Sequence, residues 1–107
     1  MGNKQKLYGM LGLCAKAGKV VAGNQAVLEA IEKRKIKLLI LAEDSSDRTK
    51  EMFQKIGEEK KIKIVICLTM EELSEKIGKQ NKAIVGISDE NFAKAIQKIL
   101  NGGETIG

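Results

Sequence analysis

The sequence contains no histidine, no proline and no tryptophan, and its only aromatic residues are Tyr8, Phe53 and Phe92. Without histidine the chain cannot form a Ser-His-Asp or Cys-His catalytic centre, and it lacks the commonest zinc ligand. With so few aromatic side chains, the protein is not expected to bind single-stranded nucleic acid by base stacking, as RRM and OB-fold proteins do. These absences predict a protein that is not an enzyme, although a lysine or carboxylate active site stays open on composition alone.

The two cysteines, Cys14 and Cys67, lie far apart within apolar patterns, which is typical of buried cytosolic thiols rather than a disulfide. No apolar run approaches the roughly 18 residues that a membrane-spanning helix needs. With 107 residues and 43% apolar content, the chain is expected to form one domain, 1–107, with a frayed tail at 101–107. We expect a cytoplasmic monomer that binds no cofactor and no membrane.

The positive charge is concentrated in the first third of the chain. The net charge is +5, but residues 1–37 contain eight basic and two acidic residues, whereas the remaining residues contain 11 basic and 12 acidic ones. Such an asymmetry predicts a surface that binds a polyanion. The alternative is that the lysines only keep a small protein soluble.

The hydrophobic pattern predicts five helices alternating with four short strands, in the order α-β-α-β-α-β-α-β-α. Apolar residues recur at helical spacing at Leu7, Leu11 and Cys14, whereas residues 37–44 form a continuous apolar run closed by two acids, as in a central strand. Further strands are predicted at 20–22, 62–68 and 83–87. This alternation predicts an α/β fold, a three-layer α/β/α sandwich around a small mixed four-stranded sheet.

Local signals also predict helix ends and buried faces. Gly18 is expected to end the first helix in a left-handed conformation. Thr69 and Glu72 form a capping-box pattern, and Ser88 or Asp89 is expected to cap the last helix. Apolar residues at helical spacing are expected to be buried on the second and third helices: Val27, Ala30, Ile31, Met52, Phe53 and Ile56.

A cluster of acidic and hydroxyl residues, 43–47, follows the central strand, where open α/β sheets bind ligands. It could hold a hard cation, but nothing supplies a full ligand set, so we predict no metal site and a helix-capping role. The nucleotide-binding patterns GxGxxG and GxxxxGK[ST] are absent.

The stretch VVAGNQAVLEAI, residues 20–31, combines a glycine turn with two side-chain amides at the start of a helix. Asn24 is a good N-cap residue and is predicted to cap this helix, so the simplest interpretation is a capped strand-to-helix turn, which is compatible with RNA binding at the same turn. However, Leu28 lies beside Asn24 and Gln25 and off the buried stripe, and basic residues flank the segment. A helix N-terminus with free N–H groups attracts phosphate, and Asn and Gln can read purine edges.

On these residues the chain resembles the large-subunit ribosomal protein seven-Ae family of kink-turn RNA-binding proteins, and in particular its small bacterial YlxQ type. The resemblance covers nearly the whole chain, and its most specific parts are the GNQ turn, the apolar strand ending AED and the segment LTMEELSEKIGKQNKAIVGI. It implies the same sandwich, no catalysis, and binding of kink-turn or ribosomal RNA during ribosome or ribonucleoprotein assembly, with the ribosome as a possible assembly partner.

The resemblance also implies where RNA binds. Gly23 would shape the turn, Asn24 and Gln25 would read bases, and Leu28 would pack against a sugar or base. Predicted phosphate contacts from the first third of the chain and from the loop before the last strand are Lys16, Lys19, Lys33, Arg34, Lys79, Gln80 and Lys82.

Three residues and one loop depart from the family pattern. Gln25 replaces a glutamate, Leu28 replaces a lysine, and Ser74 replaces a glycine; the loop 79–82, mostly apolar in the family, reads KQNK. These changes predict RNA binding that depends more on charge than on base readout. The alternative is a protein-interaction factor on the ribosome or on the transcription-translation machinery that binds RNA only nonspecifically.

Overall fold

The structure, a computed structural model, describes residues 2–102, with side chains for residues 4–101. Helices and strands alternate as the sequence predicts. Their bounds are α1 Gly2–Lys16, β1 Val20–Ala22, α2 Asn24–Glu32, β2 Leu38–Leu41, α3 Asp47–Lys60, β3 Ile64–Ile66, α4 Met70–Lys76, β4 Ile84–Ile87 and α5 Glu90–Gly102.

The four strands form one mixed sheet in the order β1-β4-β2-β3. β2 pairs in parallel with β3, and β4 runs antiparallel to both β1 and β2. β1, β2 and β3 therefore point the same way, and the sheet has two distinct ends. We call the end where these three strands stop and β4 begins the carboxyl end of the sheet, and the opposite one the amino end.

Helices cover both faces of this sheet, which confirms the three-layer sandwich. β2 is completely buried because its side chains point alternately into the two cores, as the continuous apolar run predicted. The first core joins α1, α4 and α5 to one face and includes Leu11, Leu38, Ile40, Leu73, Val85, Ile87 and Ile96. The second joins α2 and α3 to the other face and includes Val27, Ala30, Ile31, Ile36, Leu39, Leu41, Phe53 and Ile84.

The structure corrects several predicted boundaries. β3 covers only 64–66 of the predicted 62–68, because it lies at the edge of the sheet and Leu68 turns the chain away with a φ of 65°. Met52, placed on the apolar stripe by its spacing, is 38% exposed. α5 continues through Gly102, so residues 101–102 of the predicted frayed tail are helical, and 103–107 lie outside the described residues.

No helix in the described part of the chain is both long enough and apolar enough to span a membrane.

The side chain of Glu72 connects α1 to α4. Its Oε1 accepts a hydrogen bond from the Thr69 backbone N–H at 3.0 Å, which completes the capping box that Thr69 and Glu72 predicted. Its Oε2 accepts from the Tyr8 hydroxyl at 2.8 Å and lies 3.2 Å from Lys4 Nζ. The Thr69 N–H first, then Tyr8 and Lys4, lower the pKa of Glu72 from 4.5 to about 2.

This lowered pKa predicts a loss of stability in acid. A carboxylate whose pKa falls on folding stabilises the native state above its unfolded pKa and loses that contribution as the pH falls through its folded pKa. We therefore expect Glu72→Gln to unfold at lower temperature than the wild type at pH 7 and the difference to disappear between pH 4.5 and about 2. Thermal melts across this range measure it. The exposed neighbour Glu71 provides the control, because Glu71→Gln removes the same charge without the hydrogen bonds; an equal pH profile for both variants would contradict the prediction.

Candidate nucleic-acid interface

The turn between β1 and α2 is built on Gly23. Its φ of 98° and ψ of 152° lie in a region essentially restricted to glycine. The Gly23 N–H donates to the Ile84 carbonyl at 3.0 Å, and its own carbonyl accepts from the Val27 N–H at 2.9 Å. These bonds make Gly23 the N-cap residue of α2 and fix the start of the helix next to β4.

The prediction that Asn24 caps this helix is wrong. Asn24 is the first helical residue, one position too late for its side chain to serve the N-cap, and α2 has no side-chain cap. The helix begins at this residue because Gly23 adopts the turn conformation that residues with a Cβ avoid. The side chains of Asn24 and Gln25 are exposed and form no hydrogen bond within the part of the chain that the structure describes. Both amides are therefore available to a ligand.

The buried face of α2 holds these amides at the surface. Val27, Ala30 and Ile31 are buried as predicted. Leu28 lies off that stripe and is half-buried against the second core. Together with Asn24 and Gln25 it lines a groove of about 780 Å³ between α2 and α3, further lined by Glu29, Ile31, Glu32, Ile56, Glu59 and Lys60.

The loop before β4 is held next to Gly23 by a buried serine. Ser74 is 4% exposed; its Oγ accepts from the Lys82 N–H at 2.8 Å and donates to the Lys82 carbonyl at 3.2 Å. The Ser74 carbonyl also accepts from the Lys79 N–H at 2.8 Å. A Cβ placed on Gly23 would lie 3.5 Å from Lys82 Nζ, so the ammonium group covers the glycine turn.

Sequence reasoning missed this role of Ser74, which it treated only as a departure from glycine. The one local signal was a polar residue on the apolar face of a short helix. The structure shows that its hydroxyl holds Lys82, and its backbone carbonyl holds Lys79, so that Ser74 ties both ends of the loop 79–82 to α4 and positions Lys82 at the start of α2.

Removal of this hydroxyl should loosen the loop. Ser74→Ala leaves the Lys82 N–H and carbonyl without their partner, and an unsatisfied buried polar group costs about 1–3 kcal/mol. We expect a decrease of that size in the free energy of unfolding, measured by urea titration, and faster hydrogen exchange at the Lys82 amide. Ser88→Ala is the matched control, because Ser88 is half-buried and its hydroxyl has no partner among residues 4–101. Equal losses of stability in the two variants would contradict the stabilising role of the hydrogen bonds between Ser74 and Lys82.

The predicted RNA-binding residues separate into two groups. The carboxyl end of the sheet brings together Gly23, Asn24, Gln25, Leu28, Lys79, Gln80 and Lys82. The second group lies at the amino end, where α1 and α2 end, and comprises Lys16, Lys19, Lys33 and Arg34. A helix of nine residues, such as α2, is about 13.5 Å long. Lys33 and Arg34, which follow α2, are therefore about that far from the exposed amides.

The acidic cluster 43–47 serves as helix caps. Asp44 Oδ1 accepts from the Met70 N–H at 2.8 Å at the start of α4, and Ser46 Oγ caps α3 by accepting from the Thr49 N–H at 3.1 Å. Across residues 4–101 no group of three or more His, Cys, Asp or Glu side chains is arranged to hold a metal ion. These residues therefore have structural roles at the same end of the sheet as Asn24.

Neither cysteine is suited to nucleophilic catalysis. Burial, and to a smaller extent the charge of Asp89, raises the pKa of Cys14 to about 11. Burial first, with Glu43 next, raises the pKa of Cys67 to about 11 as well. Both thiols are therefore protonated at neutral pH, and the thiolate is the nucleophilic form.

The sequence of this chain matches a known protein family. Residues 5–97 match the model of the Ribosomal protein L7Ae/L30e/S12e/Gadd45 family. The chain is 32% identical over 104 residues to the RNA-binding protein YlxQ of Enterococcus faecium, covering 94% of this chain and 97% of that protein. It is 29% identical over 94 residues to the RNA-binding protein YlxQ of Bacillus subtilis (strain 168), covering 88% and 94%.

Two solved structures share the fold. A protein of unknown function from Bacillus halodurans C superposes with a TM-score of 0.87 at 24% identity, covering 91% of this chain and 98% of that chain. The Giardia lamblia 15.5kD RNA binding protein superposes with a TM-score of 0.74 at 14% identity, covering 94% and 86%. The family match and the relatives confirm the prediction that the chain is not an enzyme. The chain belongs to the Ribosomal protein L7Ae/L30e/S12e/Gadd45 family, as a YlxQ-type member.

Proposed function

We propose that this protein binds structured RNA through the N-terminus of α2 and that its specific target is a kink-turn or a similarly bent RNA. The observation that carries the proposal is the pair of exposed amides of Asn24 and Gln25, which have no hydrogen-bond partner among residues 4–101, beside the Lys82 ammonium. Family membership and the names of the two YlxQ relatives support RNA as the ligand.

The chemistry of this arrangement suits a bent RNA. The first N–H groups of a helix have no intrahelical partner and attract phosphate, and an amide side chain can pair bidentately with a purine edge. The major groove of regular A-form RNA is too narrow for side chains, so such contacts need an opened groove. The sheared G·A pairs of a kink-turn open that groove, and Leu28 would then pack against a sugar or base.

Lys79, Gln80 and Lys82 complete the proposed site from the second loop. Lys79 and Gln80 are exposed, and Lys82 is fixed through Ser74. These polar side chains can contact phosphates but cannot cover an extruded base as apolar ones do. The proposal therefore includes a strong dependence of affinity on salt. We further propose that the protein is a cytoplasmic monomer and that its target is ribosomal or ribonucleoprotein RNA.

The experiment is a binding titration of the wild-type protein against two RNAs at two salt concentrations. One RNA contains a kink-turn, and in the other the sheared G·A pairs are replaced by Watson–Crick pairs. We expect a preference for the kink-turn that persists at the higher salt concentration. Equal binding of both RNAs, lost at higher salt, would contradict kink-turn recognition.

The groove between α2 and α3 supports a second candidate function. Leu28, Ile31 and Ile56 form an apolar strip next to the exposed amides, as a protein-interaction factor would need. Salt-sensitive RNA binding without any preference among RNA shapes would favour this candidate.

A further inference from the structure

Exposed basic residues crowd the amino end of the sheet. Three helices end there and α5 begins there, and the segments 16–19, 32–37, 58–63 and 88–91 contain nine basic and five acidic residues. All nine basic side chains are exposed: Lys16, Lys19, Lys33, Arg34, Lys35, Lys37, Lys60, Lys61 and Lys63. We call this set the amino-end surface. The segments at the carboxyl end, 4–6, 23–25, 42–48, 67–72 and 75–83, contain six basic and six acidic residues instead. The positive charge is thus concentrated away from Asn24.

The centre of the amino-end surface is concave. A depression of about 710 Å³ lies between the ends of α2 and α3, with Arg34, Lys37, Lys60 and Lys61 around Ile31, Ile36 and Ile62. Glu32 and Glu59 also line it. Even so, none of the nine basic side chains forms an ion pair among residues 4–101, where the two ion pairs are Lys4–Glu72 and Lys94–Glu90.

Two of these basic residues occupy positions where glycine is preferred. Arg34 follows the end of α2 and Lys61 follows the end of α3, each with a φ of 59°. The equivalent positions after α1 and α4 are Gly18 and Gly78, both with a φ of 73°. A side chain in this left-handed conformation costs stability that glycine does not. The two helices that border the depression therefore carry cations at a conformational cost that the other two avoid.

Stabilisation of helix ends explains only part of this charge. Cations near a helix C-terminus interact favourably with its dipole, which accounts for Lys33 and Lys60. Lys37 and Lys63 instead directly precede β2 and β3. The remaining excess of charge forms a surface that can bind an anionic partner.

We propose that the amino-end surface binds the phosphate backbone of a second, double-stranded RNA segment, independently of its sequence. Lysines bind phosphate as point charges and need no aromatic side chains, which suits a surface that neutralises a charged backbone. Because α2 separates it by about 13.5 Å from Asn24 and Gln25, this surface contacts different phosphates from those at the proposed kink-turn site. The choice of RNA as the polyanion rests on the proposed function.

The test uses glycine, because it removes each charge and also relieves the backbone. The double variant Arg34→Gly/Lys61→Gly should melt at the same temperature as the wild type or higher. It should bind a plain RNA duplex more weakly, with the salt dependence of log K reduced by about two. Between about 50 and 200 mM salt, the wild type should accordingly lose about tenfold more affinity than the variant. Lys55→Gln/Lys98→Gln is the control, since it removes two exposed charges elsewhere, and it should keep wild-type affinity.

A second measurement asks whether both surfaces work at once. A kink-turn RNA and a plain duplex carrying different fluorophores should form a ternary complex with the wild type but not with Arg34→Gly/Lys61→Gly. The inference is overturned if the glycine variant keeps full duplex affinity, if it only loses thermal stability, or if no ternary complex forms although each RNA binds alone. Its failure is distinct from that of the proposed function, because kink-turn preference is read from Asn24 variants and duplex affinity from Arg34 and Lys61. Duplex binding that depends on these two residues without kink-turn preference would support this inference alone.

Discussion

Asn24→Ala should lose most of the preference for a kink-turn over a plain duplex while its fold stays intact. A good bidentate contact to a base discriminates by about 1–3 kcal/mol, so we expect the ratio of the two affinities to fall by about tenfold or more. The stability should change by no more than about 0.5 kcal/mol, because Asn24 is exposed and makes no capping bond. Titrations against both RNAs and one thermal melt measure the two effects.

Lys33→Ala is the control for this experiment. Lys33 follows the last turn of the same helix and is equally exposed, but it lies at the opposite end of the sheet. Loss of the Lys33 charge should weaken the binding of both RNAs alike and reduce the salt dependence of log K by about one. If Asn24→Ala instead weakens both RNAs equally, Asn24 does not read bases.

Gly86→Ala should destabilise the protein by about 1–3 kcal/mol, a large part of the roughly 5–15 kcal/mol that a domain of this kind has. A Cβ on Gly86 would lie 2.6 Å from Ile36 Cδ1 and 3.3 Å from its Cγ1. Ile36 is only 5% exposed and packs in the second core, so it has little room to move. Urea unfolding of the wild type and the variant measures the loss.

A second substitution, Ile36→Val, should partly restore the stability that Gly86→Ala loses. Ile36→Val removes the Cδ1 atom that collides, and alone it should cost about 0.5–1.5 kcal/mol for the cavity it leaves. In the Gly86→Ala background it should cost less or become stabilising. Gly9→Ala is the control. A Cβ at Gly9 meets nothing within 4 Å, and alanine has a higher helix propensity than glycine at this exposed position of α1. If Gly86→Ala is as well tolerated as Gly9→Ala, close packing is not the reason for glycine in β4.

The sequence by itself predicted what depends on residues close together in the chain. Asp89 accepts from the Phe92 N–H at 2.9 Å, and Ser46 from the Thr49 N–H, because a cap joins residues three positions apart. Gly18 adopts the left-handed conformation predicted for the end of the first helix. The run 37–44 predicted a buried central strand, because burial on both faces removes the alternation of polar and apolar residues. The start of α2 is the exception. Asn24 favours the N-cap position, but the turn that Gly23 forms with β4 places Gly23 at that position instead.

Only the tertiary structure decided which of these residues share a surface. The concentration of charge in residues 1–37 was visible in the sequence, but not that the strand directions place Lys19, Lys33 and Arg34 at the end of the sheet opposite Asn24. The hydrogen bonds between Tyr8 and Glu72 and between Asp44 and Met70 span 64 and 26 residues. Such contacts follow from strand order, and strand order follows from how the two cores pack rather than from local preference. The sequence therefore determined the elements, most of their caps and the residue types available for RNA, whereas packing determined that the amides of Asn24 and Gln25 and the amino-end surface lie at opposite ends of one small sheet.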